Sequence, residues 1–184
     1  MDLSTRTLWT IGHSTRPLET LVEVLKAADI RLLVDVRRYA GSKRNPQYSG
    51  ASLAASLPER GITYLAMPEL GGRRDARADS RNLAWRNTSF RGYADYMETA
   101  AFSTAAAELA RRARATRTAV MCAEALWWQC HRGLIADAFK VRGWEVIHLV
   151  APGLLEPHPY TSAARVVDGR LDYGVPEAAQ GSLF

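Results

Sequence analysis

The chain has 184 residues, of which 47% are hydrophobic and 23% charged, as is typical of a globular protein with a substantial core. No apolar run approaches the roughly 20 residues of a membrane-spanning helix, and no membrane partner is expected. The amino-terminal sequence MDLSTRTLWTIGHS has no signal-peptide pattern, and two cysteines do not form a disulfide framework. We therefore expect a cytoplasmic protein with free thiols. The net charge of +5 favours an anionic small molecule or a nucleic acid as partner.

Segments typical of strands and helices alternate along the chain. Short apolar or β-branched runs predict strands, and apolar residues at helical spacing predict helices between them. In chain order, we predict strands at 7–11, 32–36, 62–66, 118–122 and 145–150, and helices at 17–28, 49–60, 90–115 (two helices) and 129–141. The alternation predicts an α/β fold. The expected architecture is a three-layer sandwich in which helices cover both faces of a mostly parallel five-stranded sheet.

The remaining segments are expected to be loops on a single domain that spans residues 1–184. Residues 75–87 contain few apolar side chains, and arginines at positions 73, 74, 77, 81 and 86 punctuate this region. It is either a lid that closes on phosphates or a solvated loop. Residues 151–184 are predicted to be irregular, apart from a small hairpin at 165–173 around Asp168-Gly169, a strong two-residue turn signal.

Polar residues follow several of the predicted strands. Gly12-His13-Ser14 ends the first strand, Asp35 and Arg37 end the second, and Cys122-Ala123-Glu124 ends the fourth. In open parallel sheets, ligands bind beyond the carboxyl ends of the strands. We therefore expect these residues to meet at one edge of the sheet and to form a binding site there.

Cys130, His131 and Arg132 lie at the predicted start of the next helix. The free amides and the dipole of a helix start stabilise negative charge, which lowers the pKa of a cysteine placed there. The planar guanidinium of Arg132 suits phosphate or carboxylate. In the structural alternative, Cys130 faces the core and Arg132 covers the surface.

Other candidate residues also have a structural interpretation beside the functional one. The Trp127-Trp128 pair either offers an aromatic face to a base or closes the end of the sheet. Asp35 either forms a structural ion pair with Arg37 or Arg38, or orients a ligand. His13 is a strand-end residue with a functional or a structural role, and His148, inside an apolar strand, is interpreted as a core residue.

Several motifs resemble one known family. They are TIGHS at 10–14, LVDVR at 33–37, S-x-x-NPQ-Y at 42–48, GITY at 61–64, LGG at 70–72, GYADYM at 92–97, CAE and CHR within 122–132, and HPYTSAARV at 158–166. In order and spacing they resemble DUF488, a bacterial and archaeal domain of unknown function, over nearly the whole chain. The resemblance implies a single α/β domain and one site made by the CAE and CHR segments, but no established reaction.

Three functions are compatible with this sequence, and the cofactor and oligomeric state are undetermined. The first is an enzyme acting on an anionic, phosphate-bearing substrate such as a nucleotide or nucleic acid. Its catalytic candidates are Cys130, Cys122, Glu124, His131 and His13, and its substrate-binding candidates are Arg132, Arg37, Asp35, Ser14, Tyr48 and Trp128. A Cys-x5-Arg phosphatase is disfavoured because Trp128 occupies the arginine position, whereas a rhodanese-like sulfur carrier remains open. The alternatives are a non-catalytic nucleic-acid-binding module and a metal site at Cys122, Cys130, His131 and His13.

Overall fold

A computed structural model describes residues 6–176 of the chain. The described strands are β1 (Thr7–Gly12), β2 (Leu32–Asp35), β3 (Thr63–Ala66), β4 (Thr118–Cys122), β5 (Glu145–Ala151), β6 (Leu154–Pro157), β7 (Arg165–Val167) and β8 (Arg170–Asp172). The described α-helices are α1 (Leu18–Ala27), α2 (Gly50–Ser56), α3 (Thr88–Met97), α4 (Ala100–Ala115) and α5 (Arg132–Lys140). The predicted α/β class is confirmed.

The main sheet has six strands in the order β3-β2-β4-β1-β5-β6. The first five are parallel, and β6 runs antiparallel to β5 at the edge. The expected number of five was therefore wrong by one strand. The additional strand lies in the proline-containing segment that was interpreted as irregular. Pro157 is tolerated there because an edge strand leaves some of its N–H groups outside the ladder.

Two hydrophobic cores lie on opposite faces of the sheet, because alternate residues of a strand point to opposite sides. Leu32 and Val34 of β2 pack in the core that α3, α4 and α5 cover. Leu33 of the same strand packs in the core that α1 and α2 cover. The helices thus cover both faces, as the three-layer prediction required. No helix within residues 6–176 is long and apolar enough to cross a bilayer.

The direction of the connections produces a crevice at the carboxyl end of β4. The chain leaves β1 and β2 toward α1 and α2 on one face, whereas it leaves β4 toward α5 on the other face. Since β4 lies between β1 and β2 in the sheet, neighbouring connections diverge at this point. Such a divergence is where open α/β sheets bind their ligands.

A buried chain of hydrogen bonds fastens α5 to β5 and to the tail. Asp137 lies 2.9 Å from Nε2 of His158, and Nδ1 of His158 lies 2.9 Å from Nε2 of His148. The carboxylate oxygen accepts, so His158 donates to it through Nε2. Burial lowers the pKa of His148 to about 2, so it is neutral near neutral pH. His148 is therefore a buried, paired residue of the core.

The predicted C-terminal hairpin is formed by β7 and β8, with Asp168 and Gly169 at positive φ in its turn. Just beyond β8, the hydroxyl of Tyr173 donates to Asp137 at 2.7 Å, and the backbone N–H of Thr161 donates to the same carboxylate at 2.9 Å. These contacts attach the tail to α5. The predicted irregular course of residues 177–184 lies outside the described part of the chain.

The arginine-rich segment between β3 and α3 contains neither helix nor strand from residue 71 to residue 87, which confirms the predicted loop. It is tied to α3 through Asp95, whose carboxylate accepts from the backbone of Arg77, the hydroxyl of Ser80 and the amide of Asn82. Movement of this loop as a lid stays a prediction.

Candidate active site

The ends of β1 and β4 are joined beyond the regular sheet. The N–H of His13 donates to the carbonyl of Cys122 at 3.0 Å, and the N–H of Ser14 donates to the carbonyl of Ala123 at 2.9 Å. The predicted meeting of these segments at one sheet edge is therefore present. Gly12 is required at this junction, because a Cβ there would lie 1.8 Å from the carbonyl oxygen of Glu124.

The two cysteines are in direct contact at the crevice. The thiol of Cys130 donates to the sulfur of Cys122 across 2.7 Å, and Nη1 of Arg132 donates to the same sulfur at 3.0 Å. Both cysteines are buried, with 1% of Cys122 and 6% of Cys130 exposed. The buried Cys122 sulfur therefore has two donors directed at it, an arrangement that stabilises a thiolate.

The two thiols differ in acidity. Burial raises the pKa of Cys122, but the hydrogen bond from Cys130 and the positive charge of Arg132 outweigh it, and the net pKa is lowered. The pKa of Cys130 is raised by burial and by its proximity to the Cys122 sulfur. The position of Cys130 near a helix start predicts that it is the more acidic thiol, whereas these surroundings favour Cys122.

Arg132 lies beneath Cys122 rather than on an open surface. Only 2% of the residue is exposed. Its guanidinium also donates to the carbonyl oxygens of Glu124 and Ala125, both at 2.7 Å. The expected contact between Arg132 and a substrate anion is not favoured by this placement, because the loop carbonyls and the sulfur of Cys122 surround the group. Arg132 instead acts on the Cys122 sulfur.

His131 connects the second cysteine to the end of β2. Its Nε2 lies 2.9 Å from the carbonyl oxygen of Val36, and its Nδ1 lies 3.4 Å from the sulfur of Cys130. A carbonyl only accepts, so Nε2 carries the proton and Nδ1 is free to accept one. Burial lowers the pKa of His131 to about 4. A neutral imidazole thus presents its basic nitrogen to the Cys130 thiol.

A second network fixes the guanidinium of Arg37 beside the crevice. Asp35, which is fully buried, accepts from Nε of Arg37 at 2.8 Å and from its Nη2 at 2.5 Å. Tyr64 donates its hydroxyl to the same carboxylate at 2.8 Å. Of the two interpretations of Asp35, the ion pair with Arg37 is present. It holds the planar group in one orientation.

His13, Ser14 and Tyr48 support Arg37 from the other side. Nη1 of Arg37 lies 3.1 Å from Nε2 of His13, whose Nδ1 lies 2.7 Å from the carbonyl of Ser14. Tyr48 stacks on His13 with ring centroids 4.1 Å apart. His13 and Tyr48 are buried, and burial raises the pKa of Tyr48 to about 12. Direct contact of these three residues with a substrate stays a prediction.

An open cleft of about 370 Å³ covers the sulfur pair. Five of the predicted site residues line it, namely Arg37, Cys122, Glu124, Cys130 and His131. Arg38 and Arg73, noted from the sequence for other reasons, also line it. Four further lining residues were not among the candidates, namely Tyr39, Ser89, Phe90 and Tyr93. The sequence offered one indication for Tyr39, which directly follows Arg37-Arg38, and one for Tyr93, which belongs to the GYADYM motif.

The charge of the cleft wall is predominantly positive. Arg37, Arg38 and Arg73 line it, and Glu124 is the single carboxylate among the lining residues. Asp35 compensates the charge of Arg37, so Arg38 and Arg73 supply the excess positive charge. Arg38 donates to the carbonyl of Arg73 at 2.7 Å, which joins the end of β2 to the arginine-rich loop. Clustered guanidinium groups over a low-dielectric floor attract anions.

The tryptophan pair is divided between packing and exposure. Trp127 stacks on His148 with centroids 4.7 Å apart and the planes nearly parallel. Trp128 is 51% exposed. It is not among the residues that line the cleft. Trp127 therefore closes the end of the sheet, while Trp128 is available for an external contact.

The candidate metal ligands do not form a metal site. Within residues 6–176, no group of three or more histidine, cysteine, aspartate or glutamate side chains is arranged to hold a metal ion. Both ring nitrogens of His13 are occupied, by the carbonyl of Ser14 and by Arg37, so neither is available to a metal ion.

The fold and the site define an α/β protein with a buried cysteine pair beneath an arginine-lined cleft at the carboxyl edge of its sheet. Comparison with family models gives a match to the domain of unknown function DUF488 over residues 17–139. The chain belongs to this family. No curated protein and no solved structure matches it in the corresponding searches.

Proposed function

We propose that the protein is an enzyme that uses the Cys122 thiolate as a nucleophile on an anionic, phosphate-bearing substrate. The observation that carries the proposal is the placement of the Cys122 sulfur, 3.0 Å from the guanidinium of Arg132 and on the wall of a cleft lined by three other arginines. A thiolate, rather than a thiol, is the nucleophilic form of cysteine.

The remaining residues have distinct roles in this proposal. Arg132 and Cys130 stabilise the negative charge on the Cys122 sulfur. Arg38 and Arg73 hold the anionic group, beside Arg37, whose charge Asp35 compensates. Glu124, an exposed carboxylate on the cleft wall, is the acid–base candidate for the leaving group.

Paired alkylation reagents test this proposal. The reaction rate of neutral iodoacetamide depends on the thiolate fraction of Cys122. The rate of anionic iodoacetate depends in addition on attraction by the cleft arginines. We expect wild type to react at Cys122 near neutral pH, with iodoacetate favoured over iodoacetamide and slowed by inorganic phosphate.

The matched control is the double variant Arg38→Gln and Arg73→Gln, which removes charge from the cleft without touching the sulfur pair. It should lose the preference for iodoacetate and keep its rate with iodoacetamide. A Cys122 that titrates like an ordinary free thiol, or reacts only after unfolding, refutes the nucleophile.

A second candidate function, nucleic-acid binding without chemistry, is supported by two exposed aromatic rings. Tyr39 is 63% exposed, with the guanidinium of Arg38 5.6 Å from its ring centroid, and Trp128 is 51% exposed. Exposed aromatic rings beside arginines suit stacking on single-stranded bases.

Titration of tryptophan fluorescence with a single-stranded oligonucleotide at low and high salt tests this function. Quenching at low salt that high salt abolishes, and that Trp128→Ala removes, supports it, whereas no quenching at low salt refutes it.

A further inference from the structure

The thiol pair has a geometry that a single nucleophile does not require. The sulfurs of Cys122 and Cys130 are 2.7 Å apart, although a nucleophile needs only a donor to stabilise its charge. A disulfide bond is about 2.05 Å long. The two sulfurs can therefore reach bonding distance by a movement of less than about 1 Å.

The backbone on both sides keeps the sulfurs together. Cys122 is the last residue of β4, and its carbonyl accepts from His13 of the neighbouring segment at 3.0 Å. Cys130 lies two residues before the start of α5, and its carbonyl accepts from Gly133 at 3.0 Å. The contact is thus set by a strand end and a helix start, which are fixed by the core rather than by a flexible loop.

The cleft brings small molecules to the cysteine pair. Cys122 and Cys130 both line its wall, and 1% and 6% of these residues, respectively, is exposed. Access of this kind suits a small hydroperoxide better than a large protein disulfide. Nδ1 of His131, 3.4 Å from the Cys130 sulfur, is placed to accept the proton of the second thiol.

We propose that Cys122 and Cys130 are a reversible redox pair, in which hydroperoxides oxidise Cys122 and Cys130 resolves the product as an intramolecular disulfide. In the first step, the Cys122 thiolate attacks one oxygen of hydrogen peroxide. An S–O bond forms, the O–O bond breaks, and the departing hydroxide takes a solvent proton and becomes water. The sulfur is oxidised by two electrons to a sulfenic acid, and the peroxide is reduced.

In the second step, Cys130 transfers its proton to Nδ1 of His131 and its sulfur attacks the Cys122 sulfur. The S–S bond forms, the S–O bond breaks, and the leaving hydroxide takes the proton from His131 as a second water. A thiol such as dithiothreitol restores both cysteines by exchange.

The lowered pKa of Cys122 and the raised pKa of Cys130 agree with this order of attack. Formation of the disulfide inactivates the enzyme reversibly, because it removes the nucleophilic thiolate of Cys122. This regulatory consequence rests on the proposed function.

Mass spectrometry of the intact full-length chain tests the inference without a variant. After one equivalent of hydrogen peroxide, we expect native protein to lose two hydrogen atoms in mass and to regain them with dithiothreitol. Since the chain has only two cysteines, a monomer with this loss contains the Cys122–Cys130 disulfide. A native protein that gains oxygen without forming the disulfide, or that forms it only after unfolding, overturns the inference.

Two variants separate the roles of the cysteines. Cys130→Ser should accumulate a Cys122 sulfenic acid that dimedone traps, and Cys122→Ser should form no trapped adduct under the same conditions. Trapping in Cys122→Ser but not in Cys130→Ser overturns the assignment of roles.

The failure of this inference can be distinguished from the failure of the proposed function. If iodoacetamide modifies Cys122 rapidly near neutral pH but peroxide yields no disulfide, the nucleophile stands and the redox pair is refuted. If peroxide yields the disulfide but phosphate and the cleft arginines do not affect alkylation, the redox pair stands and the anionic substrate is refuted.

Discussion

Nη1 of Arg132 donates to the sulfur of Cys122 at 3.0 Å. The whole Arg132 residue is buried, with 2% of its surface exposed. A buried cation beside a buried sulfur favours the thiolate, because neither charge is well solvated without the other. The same guanidinium holds two carbonyls of the loop after β4. One side chain thus sets both the charge of the sulfur and the course of the loop around it.

Arg132→Met tests the electrostatic part of this relationship. Removal of the cation should raise the pKa of Cys122, since burial then acts with less opposition. A rise of one pKa unit lowers the thiolate fraction about ten-fold at pH values below the pKa, and we expect at least that loss in the iodoacetamide rate near neutral pH. The measurement is the midpoint of the alkylation rate against pH, and an unchanged midpoint in folded variant protein contradicts the assignment.

Gly12→Ala tests the steric requirement for close packing between the end of β1, the loop after β4 and Arg132. The new Cβ would lie 1.8 Å from the carbonyl oxygen of Glu124 and 2.5 Å from Nη1 of Arg132. The loop and the guanidinium must therefore shift, and we expect slower alkylation of Cys122 and a lower melting temperature. Gly41→Ala is the matched control, because a Cβ there meets nothing within 4 Å. Equal behaviour of the two variants would show that the Gly12 contact has no consequence.

Asp35→Asn should destabilise the protein strongly. Asp35 is fully buried and Arg37 nearly so, and removal of one partner leaves a buried charge without compensation, which costs about 3–5 kcal/mol. Asp29→Asn is the control, since the Asp29–Arg31 pair is at least 60% exposed on both side chains and such pairs contribute about 0–1 kcal/mol. The measurement is the free energy of unfolding in urea, and similar losses for both variants would contradict the prediction.

The free energy of unfolding should fall as the pH is lowered from about 7. The pKa of His131 is lowered from 6.5 to about 4 in the folded protein. Between these values the unfolded chain binds a proton that the folded protein does not, so the stabilisation is complete above 6.5 and is lost as the pH falls toward 4. His148, with its pKa lowered to about 2, adds to the same slope.

His131→Gln is the variant that checks this pH dependence. It should reduce the slope by up to about 1.4 kcal/mol per pH unit, the equivalent of one proton. Urea unfolding at a series of pH values between 7 and 5 measures the slope. A variant with the slope of wild type would show that His131 titrates normally in the folded protein.

Several residues of the candidate site could be predicted from the sequence, but which of the two cysteines is the more acidic could not. Strand alternation and the rule for parallel sheets brought Cys122, Arg37 and Cys130 to one edge, because these depend on local periodicity. The position of Cys130 near a helix start predicted that it would be the more acidic thiol. In the structure the Arg132 side chain turns back onto the preceding strand and donates to Cys122 instead.

The strands after β5 also show that local patterns could be predicted from the sequence and tertiary pairing could not. The hairpin at 165–173 was predicted because Asp168-Gly169 is a local turn signal. The edge strand β6 was missed, because Leu154–Pro157 is exposed and has no apolar alternation to identify it. Its pairing with β5 is a tertiary contact.

The sequence by itself determined the α/β class, the sheet edge where the polar groups gather and the list of groups available there, since these follow from short-range patterns of apolar and polar residues. Only the tertiary structure decided that Arg132 faces a sulfur, that Arg37, Arg38 and Arg73 line one cleft, and that His13 supports an arginine. Hydrogen bonds and charge interactions between side chains depend on distances of a few ångströms between distant segments, and no local pattern encodes those distances.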